Sequence, residues 1–232
     1  MLVNGAQIED YLKCPRFWSH TWVEPRGFEP NSKALDSGLL WHRVAAGEEP
    51  LPLDAPLWME RAYDAFTRWT AGHPGTHLLA VEQQIQATLS THTLLGRPDR
   101  IVKIGDKVWH WQHKTLDPAV PLAIYKRFIA RSIHEHIYQH LITASLNLRP
   151  EEYGGTILAI ARKLSNRRAA TENPFSVEYL PLENHDSRMA DILSIVDQMA
   201  SHTSPPYQNT EACAGPYRNT LCQYIDVCEE RT

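Results

Sequence analysis

Two short segments carry the residue types that could do chemistry: Gly96-Arg97-Pro98-Asp99-Arg100 and Trp111-Gln112-His113-Lys114-Thr115. Gly105-Asp106-Lys107 lies between them and predicts a tight antiparallel hairpin. Side chains alternate along a strand, so Gln112 and Lys114 share one face and Trp109, Trp111 and His113 the other. Asp99 lies on the partner strand, within reach of the Gln112 face if the hairpin closes at Gly105-Asp106. A carboxylate, an amide oxygen and an ammonium then converge. The two oxygens are hard ligands of the kind Mg²⁺ or Mn²⁺ prefers. A lysine beside such an ion orients an attacking water and offsets negative charge growing on a phosphate. On these residues alone a plainer reading stands beside it: Asp99 caps the hairpin, and Gln112 and Lys114 are solvated.

The four cysteines are the second chemical feature. Cys14 is near the start, and Cys213, Cys222 and Cys228 cluster near the end. Four thiolates close a tetrahedral zinc site or hold an iron–sulfur cluster, either of which clips the two ends together. The spacing lacks a zinc-ribbon CxxC pair, which weakens zinc. Unrelated thiols fit the spacing equally well. The opening residues carry no basic segment followed by an apolar one, so no secretory signal and no disulfide framework are expected.

The elements that must position these groups follow from periodicity. A short helix is expected from about Asn4, and another over 31–46, with Leu35, Leu39 and His42 near one face. The Pro50, Pro52 and Pro56 stretch is a loop, and 57–70 a helix ended by Gly72-His73-Pro74-Gly75. Three strands are expected over 78–89, 93–104 and 108–114, then one long helix over 119–147. A strand over 156–161, a basic loop over 162–170, a strand over 175–180 and a helix over 187–202 complete the order. This is a mixed α/β arrangement, a central mixed sheet flanked by helices. The domain expectation is a single unit, 1–232, with 1–30 and 204–232 as a cysteine-clustered appendage.

The chain has 232 residues, 43% of them apolar and 22% charged, ordinary values for a globular protein. No apolar run approaches the roughly 20 residues of a membrane span. The formal net charge of -4 neither supports nor excludes a nucleic-acid substrate, because a cleft depends on its local field. A cytoplasmic location is expected.

Taken in order, the motifs resemble the RecB-like branch of the PD-(D/E)XK nuclease superfamily, which includes phage exonucleases and iron–sulfur CRISPR-associated nucleases. Tyr11-Leu12-x-Cys14-Pro15-Arg16-x-Trp18 is similar to the family's YxxCPRxF start. Gly38-Leu39-Leu40-Trp41-His42 resembles its GxxxH helix, Pro98-Asp99 its PD element, and Gln112-His113-Lys114-Thr115 its (D/E)HKT strand. Glu82 stands where an acidic residue precedes the meander. His134-x-x-x-Tyr138 stands where QxxxY is common, and the late cysteines resemble a C-terminal cluster.

The resemblance implies a restriction-endonuclease-like core and a Mg²⁺- or Mn²⁺-dependent DNA exonuclease. His42, Asp99 and Gln112 would bind the metal, Lys114 would be catalytic, and Glu82 would contribute directly or through water. His134 and Tyr138 would line the substrate cleft, and Lys163 would touch DNA phosphates. Cys14, Cys213, Cys222 and Cys228 would hold a structural 4Fe-4S cluster. DNA is the implied partner. A helicase, an annealing protein, CRISPR-adaptation machinery and self-association are open as further partners.

Two departures stand out. Gln112 replaces the family's Asp or Glu, and a neutral amide is a weaker Mg²⁺ ligand and no base. It is compatible with a tolerated variant, a degenerate nuclease or an engineered substitution. His134 replaces the usual Gln but still donates a hydrogen bond. The cysteine spacing is also looser than the family's closest CxxC version.

Overall fold

The computed structural model describes residues 1–23 and 33–201. Cys213, Cys222 and Cys228 lie outside the described residues, as does position 202, the expected end of the last helix. In chain order the main elements are β1 (Leu2–Asn4), α1 (Gly5–Lys13), α2 (Pro15–Trp18), α3 (Lys33–Ala46) and α4 (Leu57–Ala71). Then come β2 (Thr76–Val81), β3 (Ile85–Leu89), β4 (His92–Gly96), β5 (Arg100–Ile104) and β6 (Lys107–Leu116). The rest are α5 (Leu122–Ala130), α6 (Ile133–Ser145), β7 (Tyr153–Arg162), α7 (Asn166–Ala169), β8 (Phe175–Leu180) and α8 (His185–Ser201). A three-stranded sheet has the order β1-β4-β3, and a five-stranded sheet the order β2-β5-β6-β7-β8.

The chain divides into two compact units. Among the described residues, one takes 1–23, 88–95 and 186–201, and the other takes 33–87 and 96–185. In the first unit, Asn4 begins α1 as expected. Its side chain accepts from the Gln7 backbone N–H while the Gln7 side chain accepts from the Asn4 N–H, a reciprocal cap. Cys14 is buried at the junction of α1 and α2.

The second unit is built on the five-stranded sheet. β5 and β6 form the expected hairpin, with Gly105 at φ +59 in a two-residue turn that only glycine enters without strain. β6 then pairs in parallel with β7, from Val108↔Tyr153 to Leu116↔Arg162. Parallel neighbours need a long crossover, which α5 and α6 supply. The sheet is mixed, as expected.

Alternation along β6 and β7 sorts two cores. Trp111, Ile157, Ala159 and Ala161 pack with Trp41 of α3 and Phe66 of α4 on one face. Leu158 and Ile160 pack with Ile129 of α5 on the other. Removing a buried aromatic such as Phe66 to Ala would cost about 3–5 kcal/mol.

Several expected elements are shorter than the sequence suggests. The strand over 78–89 is two strands, β2 and β3, parted at Glu82, whose φ is +47. The strand over 93–104 is β4 and β5, parted at Arg97-Pro98-Asp99; proline removes the ladder donor there. The helix over 119–147 is α5 and α6, broken at Arg131-Ser132. Ser132 is the cause: its hydroxyl accepts from the His134 N–H and starts a new helix. The loop expected over 162–170 contains the single turn α7.

Candidate metal centre

Two of these breaks, at Glu82 and at Asp99, deliver a side chain to one place. The β5–β6 register runs from Ile104↔Lys107 to Arg100↔Trp111. One step further it sets Asp99 across from Gln112. Asp99 has left the ladder after Pro98, and its Oδ2 accepts the backbone N–H of His113 at 2.7 Å. The carboxylate is thus oriented by the main chain between Gln112 and Lys114. α3 brings His42, whose Nδ1 lies 3.4 Å from the same Asp99 oxygen. Glu82 follows the last residue of β2, and its backbone N–H donates to the Asp99 carbonyl at 3.1 Å. Ligand atoms of His42, Glu82 and Asp99 all lie within 4.8 Å of one another.

These three line a cavity of about 480 Å³, together with Gly38, Leu39, Arg43, Glu48, Arg97 and Thr115. Glu82 is paired there with Arg97, Nε to Oε2 at 2.9 Å. Burial raises the pKa of Glu82, the Asp99 charge adds to this, and Arg97 opposes both. Burial also acts to raise Asp99, but the His42 hydrogen bond and the nearby His42, Lys114 and His113 charges outweigh it. Asp99 is held well below the usual carboxylate range. His113 is pushed down to about 3, chiefly by burial, and is neutral at physiological pH. The two carboxylates supply the hard oxygens that Mn²⁺ or Mg²⁺ takes, and the imidazole nitrogen beside them favours Mn²⁺ over Mg²⁺.

Gln112 is 6% exposed, and its Oε1 has no hydrogen-bond partner. A buried carbonyl oxygen without a donor is costly unless a ligand completes it. Lys114 is half-buried and near enough to Asp99 to lower its pKa. Neither Gln112 nor Lys114 lines the cavity.

Tyr138 donates its hydroxyl to the Arg97 carbonyl at 3.2 Å and packs on the His110 ring at 4.4 Å. Its pKa is raised, mainly by burial. The His134 ring stands 6.5 Å from the Tyr138 ring. Neither residue lines the cavity. Lys163 donates to the Ser37 hydroxyl at 2.8 Å, near the start of α3. Cys14 is the one described member of the expected cluster.

Arg97, Arg43 and Glu48 are cavity residues that sequence reasoning passed over. Arg97 had a signal, a cation directly before Pro98-Asp99. Glu48 sits after α3, before a Pro-rich loop, and had none.

No family model matches the chain, and no curated protein matches it. Among solved structures, a "Putative exonuclease" from Eubacterium rectale matches with a TM-score of 0.64. The match covers 99% of this chain and 87% of that one, at 12% sequence identity. The two chains share a fold. At such identity the likeness speaks for the fold alone, a mixed α/β arrangement. The crystal structure of SSO0001 gives a TM-score of 0.42 at 14% identity, over 91% of this chain and 81% of that one. No helix among the described residues is long and apolar enough to cross a membrane.

Proposed function

We propose that the chain is a divalent-metal-dependent deoxyribonuclease of the RecB-like PD-(D/E)XK type, acting from DNA ends. The observation that carries this reading is the meeting of His42, Glu82 and Asp99 in one cavity. His42, Glu82 and Asp99 would hold the ion, and the unpartnered Gln112 oxygen, just outside the cavity lining, would be a fourth donor. A bound Mg²⁺ or Mn²⁺ supplies Lewis acidity toward a phosphoryl oxygen and a water of lowered pKa. Asp99 enters ionised, because its depressed pKa keeps it a carboxylate at every working pH. Lys114 donates to the attacking water and offsets the charge that grows on the phosphate. Tyr138 holds the Arg97 carbonyl and so the approach to Asp99; with His134 and Lys163 it contacts the DNA.

The deciding experiment incubates the protein with end-labelled single- and double-stranded DNA and Mn²⁺. Cleavage lost in Lys114→Ala supports the proposal. Cleavage unchanged in that variant sinks it. Gln112 favours a second reading, a DNA-binding adaptor on the same fold. That reading expects DNA binding with no cleavage, even in Gln112→Glu. The same family reading assigns Cys14, Cys213, Cys222 and Cys228 to a structural 4Fe-4S cluster, for which protein purified without air should be brown.

A further inference from the structure

Arg97 occupies an unusual position for a cation beside a metal centre. Its Nε lies 2.9 Å from the Glu82 carboxylate and donates to the Glu82 backbone carbonyl, also at 2.9 Å. Both contacts are made through Nε. The Arg97 side chain is 61% exposed, and that of Glu82 only 19%. The Arg97 main chain is held on both sides: its carbonyl accepts the Tyr138 hydroxyl, and Pro98 fixes the next φ. The side chain is therefore the part free to move.

Resting on the metal-centre reading, we infer that Arg97 is a counter-ion in exchange. It neutralises Glu82 while no divalent cation is bound, and passes to the DNA phosphate once Glu82 serves the cation. The charges favour this. Ligand atoms of Glu82 and Asp99 lie within 4.8 Å, the Asp99 charge raises the cost of ionising Glu82, and Arg97, with His42, offsets it. A guanidinium and a divalent cation at one carboxylate repel each other, so Glu82 gives up one to hold the other. The released guanidinium hangs in the cavity that holds the ligand residues. Its planar fork matches a phosphate in a way an ammonium does not. Cation and DNA then bind with reciprocal coupling: the cation frees the residue that grips the phosphate, and the phosphate draws Arg97 away from the cation's ligand.

The test measures binding, not cleavage. Mn²⁺ affinity is read by calorimetry on the full chain without DNA. DNA affinity is read by anisotropy of a labelled oligonucleotide, in EDTA and in Ca²⁺, for wild type, Arg97→Ala and Arg97→Lys. Exchange predicts that Arg97→Ala binds Mn²⁺ roughly threefold tighter, the scale of an exposed ion pair. It also predicts that Arg97→Ala loses most of the Ca²⁺-dependent gain in DNA affinity. Arg97→Lys keeps the charge against Glu82, so its Mn²⁺ affinity stays near wild type while its Ca²⁺-dependent gain falls. A purely structural Arg97, bracing the Glu82 turn through the carbonyl bond, predicts the opposite sign. Mn²⁺ binding that weakens in Arg97→Ala, or a Ca²⁺ gain left intact, overturns the exchange and leaves the metal centre standing. Absence of Mn²⁺ binding in the wild type as well overturns both.

Discussion

The carboxylate of Asp99 is hydrogen-bonded to the backbone N–H of His113, at 2.7 Å. That bond ties the loop after β4 to the strand that carries Gln112 and Lys114, using main chain on one side. No substitution at position 113 other than proline removes it. The orientation of Asp99 is therefore robust, and its charge can be varied by itself.

Asp99→Asn keeps an oxygen for the His113 N–H but loses the charge that faces His42. Mn²⁺ affinity should fall by more than about 100-fold, beyond the loss typical of supporting residues around a metal. Calorimetry checks this, and a folded far-ultraviolet spectrum shows that the fold is retained.

Gln112→Glu should behave in opposite ways with and without metal. In EDTA the new carboxylate is buried across from Asp99, and stability should drop by about 1–3 kcal/mol. With Mn²⁺ the added charge becomes a ligand, so the rise in melting temperature on adding metal should exceed that of wild type. A variant that melts higher than wild type in EDTA would contradict the buried placement of the Gln112 side chain.

His113 is buried among Trp41, Phe66 and Trp111, and its pKa is lowered to about 3. A folded-state pKa below the unfolded one means that the unfolded chain binds the extra proton. The stability His113 contributes is complete above pH 6.5 and is lost as pH falls toward 3. Between pH 6.5 and 5 that is about 2 kcal/mol. Asp99, also depressed, acts in the same direction but only below the ordinary carboxylate range. Glu82 is raised and acts in the opposite direction above 4.5. Urea unfolding of wild type against His113→Leu isolates the term: the variant should lose about 2 kcal/mol less over this window.

Gly96 precedes Arg97 and lies against α6. A β-carbon there would stand 2.5 Å from the Leu141 side chain and 2.9 Å from the Tyr138 ring. Gly96→Ala should destabilise by about 1–3 kcal/mol, the usual cost of overpacking. It should also weaken Mn²⁺ binding, because Tyr138 holds the Arg97 carbonyl. Tyr138→Phe removes only the hydroxyl and should cost about 1 kcal/mol. Denaturant unfolding and calorimetry on the two variants separate packing from the hydrogen bond.

Glu135, His110 and Thr156 form a fully buried polar group between α6 and the sheet. Burial works against the Glu135 charge, but His110 and the Thr156 hydroxyl hold its pKa down. Glu135→Ala strips the acceptor from both, and breaking such a pair should cost about 3–5 kcal/mol. Chemical denaturation at neutral pH measures it.

Sequence alone determined the local facts. Gly105-Asp106 makes the hairpin because a two-residue turn needs a positive φ. Alternation over β6 sends Trp111 and His113 into one aromatic core, as period two requires. Asn4 starts α1 by its own side chain. The sequence across the break between α5 and α6 reads as continuous helix, because the apolar face runs on from Phe128 to Ile133 with only a small slip, and the Ser132 cap decides otherwise. The ends of β2 and β4 were not legible, because a positive φ at Glu82 and an exit from the ladder at Asp99 are set by partners distant in the chain. Only the tertiary structure brought His42, Glu82 and Asp99 together, and only it paired Arg97 with Glu82. The physical reason is that strand pitch and helix pitch place neighbours within an element. Distances between elements come from how two cores pack on opposite faces of one sheet.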